Sequence, residues 1–168
     1  MRIVAFFFIG VCTLVLVSCL KQEKFPDTPV LNSGTLTLLG DSARLQLSFT
    51  DGDGNFGLEQ SDTAGDFAAC NRRYNLFIEY YEKVNGVWEW HPLDPCDDPA
   101  PDPDVPFYFK VPWAKPTGQN PTQQGTIGVA INFWYLPSEQ DTVKYVVNIM
   151  DRDFQISNTL ELGPFVKP

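Results

Sequence analysis

Histidine is almost missing from this chain: His91 is the only one in 168 residues. No Gly-x-Ser-x-Gly turn exists to give it a nucleophile, and no phosphate-binding glycine loop opens a helix. Basic residues are scarce too, with 12 Lys and Arg against 21 Asp and Glu and a formal net charge of −9. That balance leaves no electrostatic footprint for nucleic acid. It also opposes adhesion to an anionic membrane by charge alone. No internal repeat is visible, and beyond the first residues no apolar run is long enough for a membrane-spanning helix. Asp and Glu are abundant enough for a glycosidase pair, but no segment reads as the wall of a deep cleft. An enzyme is therefore not expected.

The N-terminus is where the apolar residues concentrate. Arg2 precedes a run from Ile3 to Val17 that contains Phe6, Phe7 and Phe8. At roughly 15 residues it falls short of the ~20 that a bilayer requires and matches the apolar part of a signal peptide. Leu16-Val17-Ser18-Cys19 closes it and resembles the lipobox of bacterial lipoproteins. The resemblance implies cleavage before Cys19 and acylation of that cysteine, including an amide-linked chain such as palmitate. Two or three acyl chains anchor a protein firmly where one does not. An ordinary secreted protein is the alternative. The expected organisation is a leader over 1–18, a lipidated tether over 19–33 and one domain over 34–168, a common domain size.

Four cysteines are present. Cys12 lies in the leader and Cys19 takes the lipid, which leaves Cys70 and Cys96. In an oxidising compartment such a pair is expected to form a disulfide. Closing a loop of ~27 residues contributes about 3–4 kcal/mol on the chain-entropy model. The alternative is metal ligation by the pair with His91.

From residue 34 onward the apolar period is two. Leu45, Leu47 and Phe49 alternate with polar residues, as do Leu76, Ile78 and Tyr80, then Ile127, Val129, Ile131 and Phe133, then Val143, Tyr145, Val147 and Ile149. Alternation of this kind marks half-buried strands. Asn85-Gly86 suits a two-residue hairpin turn, because both residues accept positive φ. Trp88 and Trp90 follow on one face of the return strand. A short strand is expected at Phe107–Val111 and a last one at Thr159–Phe165. Proline bars the segment Asp94–Pro106 from a central strand; it reads as an extended loop pinned by Cys96. Seven or eight strands without an amphipathic helix predict an all-β, antiparallel sandwich of immunoglobulin or fibronectin type.

The sharpest motif is Asp51-Gly52-Asp53-Gly54-Asn55-Phe56-Gly57, directly after a strand. Alternating Asp and Asn side chains can aim oxygens at one point, and calcium takes six to eight of them. The motif is not an EF-hand, whose sixth position is Gly and twelfth is Glu; here those positions hold Phe56 and Asp62. The other reading is a glycine-rich turn whose Asp and Asn cap their own backbone. Asp151-Arg152-Asp153 follows a later strand. In strands lettered A to G the two acidic loops are B–C and F–G, which share a pole of the sandwich. Asp51, Asp53, Asn55, Asp151 and Asp153 are thus expected to converge, and clustered carboxylates repel unless a cation neutralises them. Arg152 is the competing neutraliser. The same lettering brings Cys70 and Cys96 to that pole.

The stretch Phe49–Gly57, the strand Tyr74–Lys83 before its Asn-Gly turn, Ile149–Asp153 and Ser157-Asn158-Thr159 together look like uncharacterised β-sandwich lipoproteins of the Bacteroidota with a DGDGxxG-type acidic loop. The resemblance covers most of residues 19–168 and implies a sandwich at the cell envelope with no established activity. Lys21-Gln22-Glu23-Lys24 departs from the acidic stretch that directs some relatives to the outer face, so the periplasmic and surface sides of the outer membrane both stay open.

Two functions fit. One is a structural or interaction module of the envelope, tied to the membrane by lipid, with calcium stiffening one pole and an envelope protein as partner. The other is a glycan-binding module using Trp113, Trp88 and Trp90, since tryptophan faces stack on sugars; Trp113, between prolines, is the one expected to be most exposed. Core packing is the competing role for these and for Tyr108, Trp134 and Tyr135.

Overall fold

A computed structural model describes residues 24–93, 95–96, 107–117 and 121–168. The leader, Cys19 and most of the Pro/Asp-rich segment lie outside these residues. The described chain is all-β, with eight strands: β1 (Val30–Leu39), β2 (Ser42–Asp51), β3 (Leu76–Val84), β4 (Val87–His91), β5 (Tyr108–Phe109), β6 (Gln123–Ile131), β7 (Thr142–Ile149) and β8 (Leu160–Val166). Its only helical pieces are two single 3-10 turns, Gly65–Phe67 and Cys70–Arg73. No described helix is long and apolar enough to cross a membrane.

Two antiparallel sheets pack face to face, one ordered β1-β2-β6 and the other β4-β3-β7-β8, with β5 added to β3. In letters this is A-B-E against C′-C-F-G, so the alternating pattern and the turn spacing predict the architecture correctly. The inward residues are those that alternation selects. Leu45, Leu47, Leu76, Ile78, Tyr80, Val143, Tyr145, Val147 and Ile149 are all at most 2% exposed. The β3–β4 hairpin turns on Asn85 (φ 50) and Gly86 (φ 86), the double positive φ of a two-residue turn. Tyr145 on β7 donates its hydroxyl to the carbonyl of Trp134, and the buried Trp134 indole donates to Gly40 O at 2.8 Å. Trp134 is therefore core. Phe133, read as continuing a strand, lies beyond the end of β6 and is 51% exposed.

The N-terminal boundary needs correction. β1 starts at Val30, pairing with Thr50, ahead of the expected start at residue 34. The preceding residues do not hang free. Gly52 N–H donates to Pro26 O at 2.8 Å, and Thr28 Oγ1 bonds Gln155 Oε1 at 2.6 Å. Two proline-restricted residues with local partners on the domain are cheaper to order than a free charged tether.

Candidate functional site

Register places the two acidic loops together. Leu76 pairs with Ile149 and Gln123 with Asp51, so β2 and β7 end, and β3 and β6 begin, at one pole. Cys70 and Cys96 meet there in a disulfide, with Cα atoms 5.6 Å apart. Both cysteines are thus taken, and His91 lies elsewhere, 3.4 Å from Glu82.

Asp51 and Asp151 each use one carboxylate oxygen to hold their own loops. Asp51 Oδ2 accepts from Phe56 N–H at 2.9 Å, and Asp151 Oδ1 accepts from Gln155 N–H at 2.8 Å. Among the described residues the second oxygens, Asp51 Oδ1 and Asp151 Oδ2, are buried without a hydrogen bond of good geometry, as are Asn55 Oδ1 and Gln123 Oε1; the backbone N–H groups of Asn55 and Asp153 ease the charge on Asp51 and Asp151 only in part. Asp51 and Asp151 are 0% and 1% exposed. Orphaned acceptors at such depth are rare in folded proteins and call for an explanation. Asn55 joins the loops: its Nδ2 donates to Asp53 Oδ2 at 2.9 Å and to Asp153 Oδ2 at 3.1 Å. Its own N–H reaches Asp53 Oδ1 at 3.3 Å. The backbone-capping reading and the convergence reading therefore hold together, on different atoms.

Among the described residues this charge is uncompensated. Arg152, the competing neutraliser, forms a two-pronged pair with Asp62 instead, Nη1 with Oδ2 and Nη2 with Oδ1 at 3.2 Å. Among the described residues no Lys or Arg pairs with Asp51, Asp53, Asp151 or Asp153. Burial pushes the Asp51 carboxyl up to about 6, and the charges of Asp53 and Asp151 add to the rise. Burial likewise raises Asp151, with Asp53 and Asp153 adding; for Asp53 it is burial, then Asp27 and Asp153. All three shifts run in the direction of desolvated, mutually repelling carboxylates. Among the described residues no three carboxylate, imidazole or thiolate groups form a ready-made metal cage. The unpartnered oxygens belong instead to two carboxylates and two amides.

Glycine lets the loop close. A Cβ at Gly54, at φ +71, would run into the Pro121 carbonyl, and one at Gly57, at φ +119, into the Trp113 backbone.

The tryptophans divide. Trp113 is half-buried rather than presented: its Nε1 donates to Gly54 O at 3.1 Å, and the Arg152 guanidinium lies 4.6 Å from its ring. Proline flanks keep it out of a strand, but the close glycine backbone offers its indole a partner. Trp88 and Trp90 share the outer face of β4. Trp88 is covered by Lys83 and Lys144, at 5.6 and 5.0 Å, whereas Trp90 is 54% exposed. An open groove of about 540 Å³ lies between β6 and residues 109–114; among the described residues lining it, Lys110 is the one that is charged.

Two features went unread in the sequence. Asp62 is one, because a partner 90 residues away leaves no local signal. The other is Glu82, which is 1% exposed at the opposite pole. It accepts from Lys167 Nζ at 2.6 Å, Tyr80 OH at 2.7 Å and Ser138 Oγ at 2.7 Å. Its parity with Leu76, Ile78 and Tyr80 was a visible signal of an inward charge.

No family model, no curated protein and no solved structure matches this chain.

Proposed function

We propose that the chain is an exported module of the cell envelope, anchored by lipid on Cys19, whose acidic pole binds calcium. The cation clamps the β2–β3 and β7–β8 loops into a stiff interaction surface. The observation that carries this reading is the set of buried oxygens on Asp51, Asn55 and Asp151 that make no hydrogen bond among the described residues. A hard divalent cation suits them: it takes oxygen ligands, tolerates irregular geometry and reverses the sign of a carboxylate cluster. Asp53 and Asp153, now bridged by Asn55, stand beside them to add ligands. A module of this kind acts by display, with an envelope protein as partner, at the outer membrane.

The test is thermal unfolding in calcium and in chelator. Calcium raises Tm, and Asp51→Ala with Asp53→Ala abolishes the rise. Identical curves in calcium and chelator would remove the metal from the account.

The exposed Trp90 beside Trp88 favours a second reading, a glycan-binding face on β4. Tryptophan fluorescence titrated with glycans reads it directly, and a spectrum unmoved by every glycan counts against it.

A further inference from the structure

The segment between the anchor and β1 is attached to both acidic loops at once. On the β2–β3 loop, Gly52 N–H donates to Pro26 O at 2.8 Å. The backbones approach so closely that a Cβ on Gly52 would meet the Phe25 and Pro26 carbonyl oxygens. On the β7–β8 side, Thr28 bonds Gln155 at 2.6 Å, and Gln155 is itself fixed by Asp151 at 2.8 Å. Leu31 then exchanges two hydrogen bonds with Asn158, at 2.9 and 3.0 Å. The docked segment also brings a further acid to the pole, since Asp27 acts electrostatically on Asp53.

We infer that residues 25–29 are a cation-linked strap, docked across both acidic loops when a divalent cation holds them and detached when the cation leaves. This rests on the reading of the pole as a calcium site. Without a cation, docking adds the Asp27 charge to a cluster that already repels itself. With one, that charge is attracted, and the two docking points are fixed relative to each other. Linkage is reciprocal, so the docked strap also tightens the cation. The consequence concerns reach. With the strap docked, the five residues between Cys19 and Phe25 span at most about 17 Å, and release through Pro29 extends this to about 34 Å. Calcium thereby sets how far the domain stands from its membrane.

The experiment uses the acylated full chain in detergent micelles and a lysine-specific protease that itself needs no calcium. Cleavage after the exposed Lys24 is followed by mass spectrometry, in calcium and in chelator, alongside Tm. Calcium is expected to slow this cut on the order of tenfold, the scale of ordinary site-to-site coupling. Thr28→Val and Gly52→Ala restore fast cutting in calcium. Thr28→Val touches no acid, so a calcium-induced rise in Tm remains, smaller than in the wild-type chain by the lost coupling. Asp27→Asn narrows the difference between calcium and chelator by protecting Lys24 in chelator. If Tm rises with calcium while Lys24 is cut at one rate throughout, the strap is wrong and the calcium site stands. If Tm does not respond, both are overturned.

Discussion

Asn55 and Asp153, 98 residues apart in sequence, are joined by a 3.1 Å hydrogen bond that closes one acidic loop on the other. The same Nδ2 group serves Asp53, so one amide separates two carboxylates that would otherwise face each other. Asn55→Asp removes both donated bonds and adds a charge. In chelator this variant should lose about 1–3 kcal/mol of stability. In calcium it should recover most of that loss, because the cation gains a ligand. Chemical denaturation with and without calcium checks both halves.

The acidic pole also fixes a pH response. The Asp51 carboxyl rises from 3.8 to about 6 on folding, through burial first and neighbouring charge second. The folded state therefore binds the proton more tightly than the unfolded chain does. In chelator, stability should fall as pH rises from about 4 to about 6, by roughly 2–3 kcal/mol for a shift of this size. Asp151 and Asp53 are raised as well and push the same way. Calcium competes with those protons, so its stabilisation should be small at pH 5 and large at pH 7. Urea unfolding across that range, with and without calcium, measures it.

At the opposite pole Lys167 locks the C-terminus to β3. Burial pushes the Glu82 carboxyl up, but hydrogen bonds from Lys167, Tyr80 and Ser138 outweigh it and hold the group below the usual range. Lys167→Met leaves that carboxylate buried without its ammonium and should cost about 3–5 kcal/mol. Adding Glu82→Gln should return part of the loss, because the uncompensated charge is then gone. Thermal unfolding of the single and double variants decides it.

The fold was legible because two-residue alternation survives in every central strand. Leu45, Leu47 and Phe49 on β2, and Val143 through Ile149 on β7, name the inward faces outright. The meeting of the Asp51 and Asp151 loops followed from strand order, and the Cys70–Cys96 bridge from a lone cysteine pair in an oxidising compartment, with which strand order agreed. What alternation could not convey was partner choice at long range. Arg152 lies between two aspartates in sequence yet pairs with Asp62, because a neighbour along a turn faces away while a distant loop faces in. Trp113 read as exposed from its prolines, but the carbonyl of Gly54 holds its indole. Charged, proline-containing residues before β1 read as a tether, and only the three-dimensional approach of Gly52 to Pro26 reveals their dock.

Trp113 offers the most direct measurement of the central claim, since its indole is hydrogen-bonded to the acidic loop itself. Terbium, a luminescent substitute for calcium with the same demand for oxygen ligands, should show emission sensitised by tryptophan excitation. Calcium should compete the signal away, and Asp51→Asn with Asp151→Asn should abolish it. Absence of sensitised emission from the wild-type chain, or emission that persists unchanged in the double variant, would contradict a cation site between these loops.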